Sequence, residues 1–249
     1  MAPRIIILEA LSDNYIYLII NDHDAIAVDP AEADPVLTTI AEQDLRLSGI
    51  LITHHHSDHL GGAAELHRKT GAGIYGPHDS RIPMLTSPLR DGELLECASL
   101  SISAMHLPGH TRTHLGFHLP DANWLFTGDT LFCAGCGRLF EGTAEQMWHS
   151  LQRITRLPDG TSIFCGHEYT EENLRFALSL EPESKDVAER LAQVKDQRRK
   201  GLPSVPTTLA LEKRTNPFLR VNALAAKMGM AGASEAEVFA EIRRRKDRF

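Results

Sequence analysis

The segment Thr53-His54-His55-His56-Ser57-Asp58-His59 constrains this chain more than any other. It ends the apolar run Gly49–Thr53, which has the length and character of a buried strand. In an extended segment residues i and i+2 share a face. His54 and His56 can therefore converge on one ion while His55 points away. Asp58 and His59 follow as the chain turns toward Gly61-Gly62, where they can reach a second position. Imidazole and carboxylate suit zinc, iron or manganese, and no thiolate is needed.

The chain is rich in histidine, with 13 His against 9 Phe, and the excess is clustered. Three further segments place a candidate ligand just after a predicted strand. His110 stands in Leu107-Pro108-Gly109-His110-Thr111, Asp129 in Thr127-Gly128-Asp129, and His167 in Cys165-Gly166-His167. A glycine beside each ligand lets the backbone turn sharply. The set is five His and two Asp. One carboxylate can bridge two ions and leave an open coordination position for water. His106, His114 and His118 are candidates to support the ligands, although ordinary packing is the plainer reading. His23, His67, His78 and His149 read as structural or surface residues.

The first two thirds read as short strands, at Ile5–Leu8, Tyr15–Ile20, Ala25–Val28, Gly49–Thr53, Ala72–Tyr75, Leu100–Met105, Leu115–Leu119, Trp124–Thr127 and Ser162–Cys165. Helices are expected from an Asp34 N-cap to about Gln43, over Ala63–Lys69, and over about Ala144–Arg156 behind a Thr143/Gln146 capping box. After His167 the texture turns helical. Glu171–Leu180 and Glu183–Lys200 read as helices, and Ser234 with Glu237 caps a last one ending near Arg248. The expected organisation is a strand-rich α/β domain over 1–168 and a helical domain over 169–249.

Composition narrows the function classes. A net charge of -7 argues against general nucleic-acid binding. No apolar stretch approaches the ~18 residues of a transmembrane helix. The opening apolar run stops at Glu9, so no secretion signal is read, and a cytoplasmic location is expected. The Cys-x-x-Cys pair Cys133/Cys136 lacks a thioredoxin-like context, so loop shaping is the expected role.

The pattern His-x-His-x-Asp-His with downstream His, Asp and His resembles the metallo-β-lactamase superfamily. The resemblance implies an αββα sandwich with the metals at one edge. It assigns His54, His56 and His110 to a first metal, Asp58, His59 and His167 to a second, and Asp129 to the bridge. Asp29, in Val28-Asp29-Pro30, matches the family carboxylate that stands behind the ligands.

Residues 128–142, the stretch Cys165–Ala177, Asn216–Arg220 and the ending Arg243–Phe249 are similar to the hydroxyacylglutathione hydrolase (glyoxalase II) family. That resemblance covers essentially the whole chain. It implies hydrolysis of S-2-hydroxyacylglutathione, as S-D-lactoylglutathione, to glutathione and D-lactate by a metal-bound hydroxide. Two divalent ions are implied, zinc foremost with iron or manganese as alternatives. Asp58 and Asp129 take the catalytic places. The implied glutathione contacts are Arg138, Phe140 (Tyr in some members), Tyr169, Asn173, Arg243 and Lys246. The expected partner is this small glutathione thioester, with no nucleic acid or membrane, and a monomer is expected. A lactonase, a β-lactamase or an iron-dependent dioxygenase of the same superfamily is the competing reading. A nuclease using the basic C-terminus is disfavoured by the net charge.

Overall fold

A computed structural model describes residues 2–249. The chain forms two compact units. The first takes the residues up to His106 together with Thr113–Gly128; the second takes Leu107–Arg112 and Asp129–Phe249. The segments carrying His110 and Asp129 go with the later part of the chain.

In the first unit six strands make a mixed sheet in chain order. They are β1 (Arg4–Ala10), β2 (Asn14–Asn21), β3 (Asp24–Val28), β4 (Arg46–Leu51), β5 (Gly73–Pro77) and β6 (Ser87–Leu89). The first three pair antiparallel. A two-residue turn with Asp22 in the left-handed region (φ 53°) joins β2 to β3. From β3 onward the pairing is parallel, which demands crossovers. Helix α1 (Asp34–Glu42) supplies the first; α2 (Ser57–Leu60) and α3 (Ala63–Thr70) lie in the second. The N-cap of α1 is Ala33, with no side-chain cap, so Asp34 stands inside the first turn rather than capping it. The helix starts one residue earlier than Asp34-Pro35 suggests, because Ala33 already has helical dihedrals.

Strand β2 reads Asn-Tyr-Ile-Tyr-Leu-Ile-Ile, and all seven of these residues are buried. Such a run needs cover on both faces. On one face Ile16, Leu18 and Ile20 join Val36 and Ile40 of α1 and Leu66 of α3 in a continuous core. On the other, Tyr17 meets Phe126 edge-on at 5.4 Å. Phe126 belongs to a second antiparallel sheet of β7 (Leu94–Cys97), β8 (Leu100–His106), β9 (Leu115–Leu119) and β10 (Trp124–Gly128). The first unit is thus layered helix, sheet, sheet.

The second unit holds two small ladders and six helices. Strands β11 (Leu131–Phe132) and β12 (Gly135–Cys136) form a tight hairpin, and β13 (Ser162–Cys165) pairs with β14 (Thr207–Thr208). The helices are α4 (Ala144–Thr155), α5 (Thr170–Leu180), α6 (Lys185–Arg199), α7 (Leu209–Thr215), α8 (Val221–Ala225) and α9 (Glu235–Lys246). Both expected capping boxes form, Thr143/Gln146 on α4 and Ser234/Glu237 on α9. Helices α5 and α6 enclose Leu174, Ala177, Val187, Leu191 and Val194 around Ala134 of the hairpin. Trp148 of α4 and Phe239 of α9 lie 6.1 Å apart, and Phe239 packs on Phe218 at 5.5 Å. No described helix is long and apolar enough to cross a membrane.

A buried ion pair ties the hairpin to these helices. Arg190 donates to Glu212 Oε1 at 2.5 Å, to Thr215 Oγ1 at 2.5 Å and to Thr207 Oγ1 at 3.0 Å. Glu212 Oε2 accepts from the Ala134 amide at 2.7 Å and from Asn216 Nδ2 at 2.9 Å. Asn216 Nδ2 also reaches the Phe132 and Gly135 carbonyls at 3.2 and 2.9 Å. Nothing in the sequence marked Arg190 or Glu212.

Candidate metal centre and binding pocket

In the first unit, His54 and His56 follow the end of β4, and His56 is the N-cap of α2. His54 Nε2 and His56 Nδ1 are 3.0 Å apart. Two nitrogens bound at about 2.0–2.1 Å on a tetrahedral ion would lie only slightly further apart. The His54 and His59 rings are 4.2 Å apart, and His59 Nε2 lies 3.5 Å from Asp58 Oδ2. Buried Asn14 donates to Asp58 Oδ2 at 3.1 Å and to its carbonyl at 3.0 Å, fixing the first turn of α2. His55 turns the other way, toward Asp79, with its Nδ1 3.9 Å from that carboxylate.

Asp29 organises this cluster from the end of β3. Its carboxylate accepts from the Thr53 amide and hydroxyl, both at 2.7 Å, and from His59 Nδ1 at 2.9 Å. Because the Thr53 hydroxyl donates to Asp29, its oxygen must accept the proton of His54 Nδ1, 3.0 Å away. Both imidazoles therefore carry their proton on Nδ1, which leaves a lone pair on Nε2. A neutral imidazole with an oriented lone pair is what a metal ligand must be. His114 is fully buried and stacks on His54 at 4.9 Å, which makes it a wall for that ligand. Gly128 is required here. Its φ is 46°, and a Cβ would stand 2.5 Å from Thr53 Oγ1 and 2.8 Å from His114 Nε2.

The second unit carries its own donor group. Asp129 Oδ2 lies 3.3 Å from His110 Nε2 and 3.5 Å from His167 Nε2. All three residues are buried. His110 Nδ1 donates to the Arg138 carbonyl at 2.8 Å, so its Nε2 too presents a lone pair. The carboxylate facing two imidazoles is the arrangement a bridging ligand needs. Tyr169 stacks on His167 at 4.9 Å, nearly parallel. Phe132 closes edge-on against both rings at 6.0 and 5.4 Å. These donor sets, neutral imidazoles and carboxylates free of thiolate, fit divalent metal ions.

A cavity of about 440 Å³ opens from this second group. Its lining runs from His110 and Asp129 past Phe132, Phe140, Tyr169 and Asn173 to Arg138, Arg243 and Lys246. The structure thus brings all six expected contact residues to one pocket, but their settings differ. Phe140 is exposed, over the His110 ring at 5.2 Å, and its amide already donates to the His110 carbonyl. Asn173 is buried and donates to the Cys133 carbonyl at 3.1 Å. Arg243 is buried over the Phe218 ring at 5.1 Å and donates to the Cys136 carbonyl at 2.8 Å. Lys246 lies over the Phe176 and Phe249 rings at 5.8 and 5.4 Å. Sequence reasoning missed five lining residues, Phe132, Cys136, Glu172, Asp247 and Phe249. The Arg243–Asp247 pair, 2.9 Å apart at i,i+4, was in principle visible as a helix-face spacing. The Glu172–Lys246 pair joins residues 74 positions apart, with no local signal.

The four cysteines are free and buried. Burial pushes the Cys136 thiol up to about 11. A hydrogen bond from the Cys133 thiol to Cys165, together with burial, raises Cys133 well above the ordinary thiol range. Reactive thiols need the opposite shift. The native protein is therefore expected to show no thiol that reacts with Ellman's reagent at pH 8 within minutes. Rapid release from even one site would contradict this and reopen a redox role for Cys133 and Cys136.

Comparison with known proteins agrees with this geometry. Residues 11–167 match the model of the metallo-beta-lactamase superfamily. Residues 168–249 match the hydroxyacylglutathione hydrolase C-terminus. The hydroxyacylglutathione hydrolase of Methylococcus capsulatus is 47% identical over 252 residues, covering 99% of this chain and 98% of that one. The chain therefore belongs to the hydroxyacylglutathione hydrolase family of the metallo-β-lactamase superfamily. Among solved structures, ETHE1 from Myxococcus xanthus is similar at a TM-score of 0.70 and 28% identity, over 98% of this chain and 90% of that one. The TTHA1623 protein, solved in a di-iron-bound form, is similar at a TM-score of 0.63 and 25% identity, over 87% of this chain and all of that one.

Proposed function

We propose that this chain is a thioester hydrolase that converts S-2-hydroxyacylglutathione, S-D-lactoylglutathione foremost, to glutathione and the 2-hydroxy acid, the second step of methylglyoxal detoxification. The observation that carries this reading is the pocket that joins His110 and Asp129 to the cations Arg138, Arg243 and Lys246. Its volume of about 440 Å³ suits a small ligand. Family membership supports the same substrate.

The ligand roles follow from the family pattern and the donor groups. By the family pattern, His54, His56 and His110 would hold one divalent ion and Asp58, His59 and His167 a second, with Asp129 serving both. Zinc is the favoured metal, with iron or manganese sharing the same donors. Bound ions supply a Lewis acid for the thioester carbonyl and lower the pKa of water toward about 7. The protein's part is orientation and exclusion. Asp29 fixes the proton positions of His54 and His59, and the Arg138 carbonyl does so for His110. Asp58, held by Asn14, is placed to take a proton in passing as well as to ligate. Phe132 and Phe140 flank His110 and Asp129 in the pocket lining. The leaving thiol has a reference pKa of about 8.5, so it departs as thiolate without a dedicated general acid.

On this reading residues 1–168 carry the catalytic domain and 169–249 the helical glutathione-binding domain, in a monomer. The free thiols are in keeping with a reducing cytoplasm.

Hydrolysis of S-D-lactoylglutathione, with metal content measured on the same sample, tests the reading; full activity in metal-free protein would overturn it. Lys246→Ala is expected to raise KM about tenfold, the size of one lost hydrogen bond to a charged group, with kcat within about twofold. A fall in kcat at unchanged KM would remove Lys246 from substrate binding.

A further inference from the structure

Asp79 is a buried carboxylate that the proposed ligand set does not use. It lies two residues past β5, and its side chain is 4% exposed. Its oxygens accept from two separate segments. Oδ1 takes the Arg81 amide at 3.0 Å and Arg81 Nε at 2.8 Å. Oδ2 takes Arg81 Nη2 and the Thr113 hydroxyl, both at 2.7 Å, and lies 3.9 Å from His55 Nδ1. The two-pronged Arg81 contact holds the carboxyl well below the usual carboxylate range. Arg81 itself is 45% exposed. Its ion pair alone gives no reason to bury the carboxylate, since burial costs hydration that an open pair would keep.

The reason lies in what Asp79 reaches inside the first unit. His55 is the chain neighbour of both His54 and His56, and its ring meets the His56 ring at 4.7 Å. Thr113 is the chain neighbour of His114, whose ring stacks on His54 at 4.9 Å. One carboxylate thus bears on the ligand pair by two routes, through His55 and through Thr113. We propose that Asp79 is a positioning residue for the ion at His54 and His56, holding the two imidazoles in place before the ion arrives. A ligand already held in place loses less freedom on binding, so affinity rises with no added contact to the ion. This rests on the ligand assignment of the hydrolase reading and adds a residue outside that set which acts on it.

The test measures the zinc affinity of the full-length protein by competition with a chromophoric chelator. Asp79→Asn is expected to weaken it about tenfold, the lower range for groups that support a metal ligand. Thr113→Val keeps every charge and cuts one of the two routes, and is expected to weaken it about threefold. At limiting zinc, hydrolysis of S-D-lactoylglutathione falls with the affinity; at excess zinc it recovers. A purely structural role would instead lower the urea midpoint of zinc-free protein and leave the zinc affinity of the folded protein unchanged. Wild-type affinity in Asp79→Asn overturns the proposal. So does a fall in Asp79→Asn with none in Thr113→Val, because the effect would then be one of charge alone. If Asp79→Asn does not fold, Thr113→Val decides by the same criterion. Zinc bound by the wild type without thioester hydrolysis refutes the hydrolase reading and leaves the affinity comparison standing.

Discussion

Alanine at position 129 is expected to lower kcat/KM on S-D-lactoylglutathione at least about a thousandfold, with a matching loss of bound metal, because a Lewis acid contributes several kcal/mol to such a barrier. Asp129 faces two imidazoles at once, at 3.3 and 3.5 Å. Its removal would loosen both proposed ions rather than one. His54→Ala, which removes a ligand of one ion only, is expected to lose activity with a smaller fall in metal content. Elemental analysis beside the rate measurement separates the two. Retention of full activity by Asp129→Ala would contradict the bridging role.

The second large effect is on stability. Glu212→Leu is expected to cost about 3–5 kcal/mol, because it strands the buried Arg190 guanidinium without its counter-charge. The same change orphans the Ala134 amide in the β11–β12 hairpin. The measurement is the urea midpoint, followed by circular dichroism. The double variant Arg190→Met, Glu212→Leu is expected to recover most of the loss, because no charge is then left unpaired. If Glu212→Leu alone unfolds at the wild-type midpoint, the pair has no structural role.

What was legible from sequence was local. Ser162–Cys165 is the observed strand β13, and the two capping boxes form as spelled, because each depends on residues within one turn. The ligand motif was legible for the same reason, since i and i+2 in an extended segment share a face. The Asp34 cap was misplaced by one residue because Ala33, which has no capping side chain, is the actual N-cap. Strands β11, β12 and β14 have two residues each and show no periodicity to read. The pairings Arg190–Glu212 and Lys246–Glu172 span 22 and 74 positions, so only the folded chain reveals them. The seating of Arg243 and Lys246 over Phe176, Phe218 and Phe249 likewise depends on packing.

The glycines around Asp129 carry one more consequence. At Gly128 the backbone is left-handed, and at Gly137 a Cβ would fall 2.0 Å from the Asp129 carbonyl oxygen. Neither residue offers a functional group to a metal or a thioester. Both nevertheless leave no room for the next smallest residue, alanine. The set of positions at which this chain tolerates substitution is therefore narrower than its chemistry alone would dictate. A redesign of the reaction centre inherits the confinement of these two silent glycines before it chooses a single ligand.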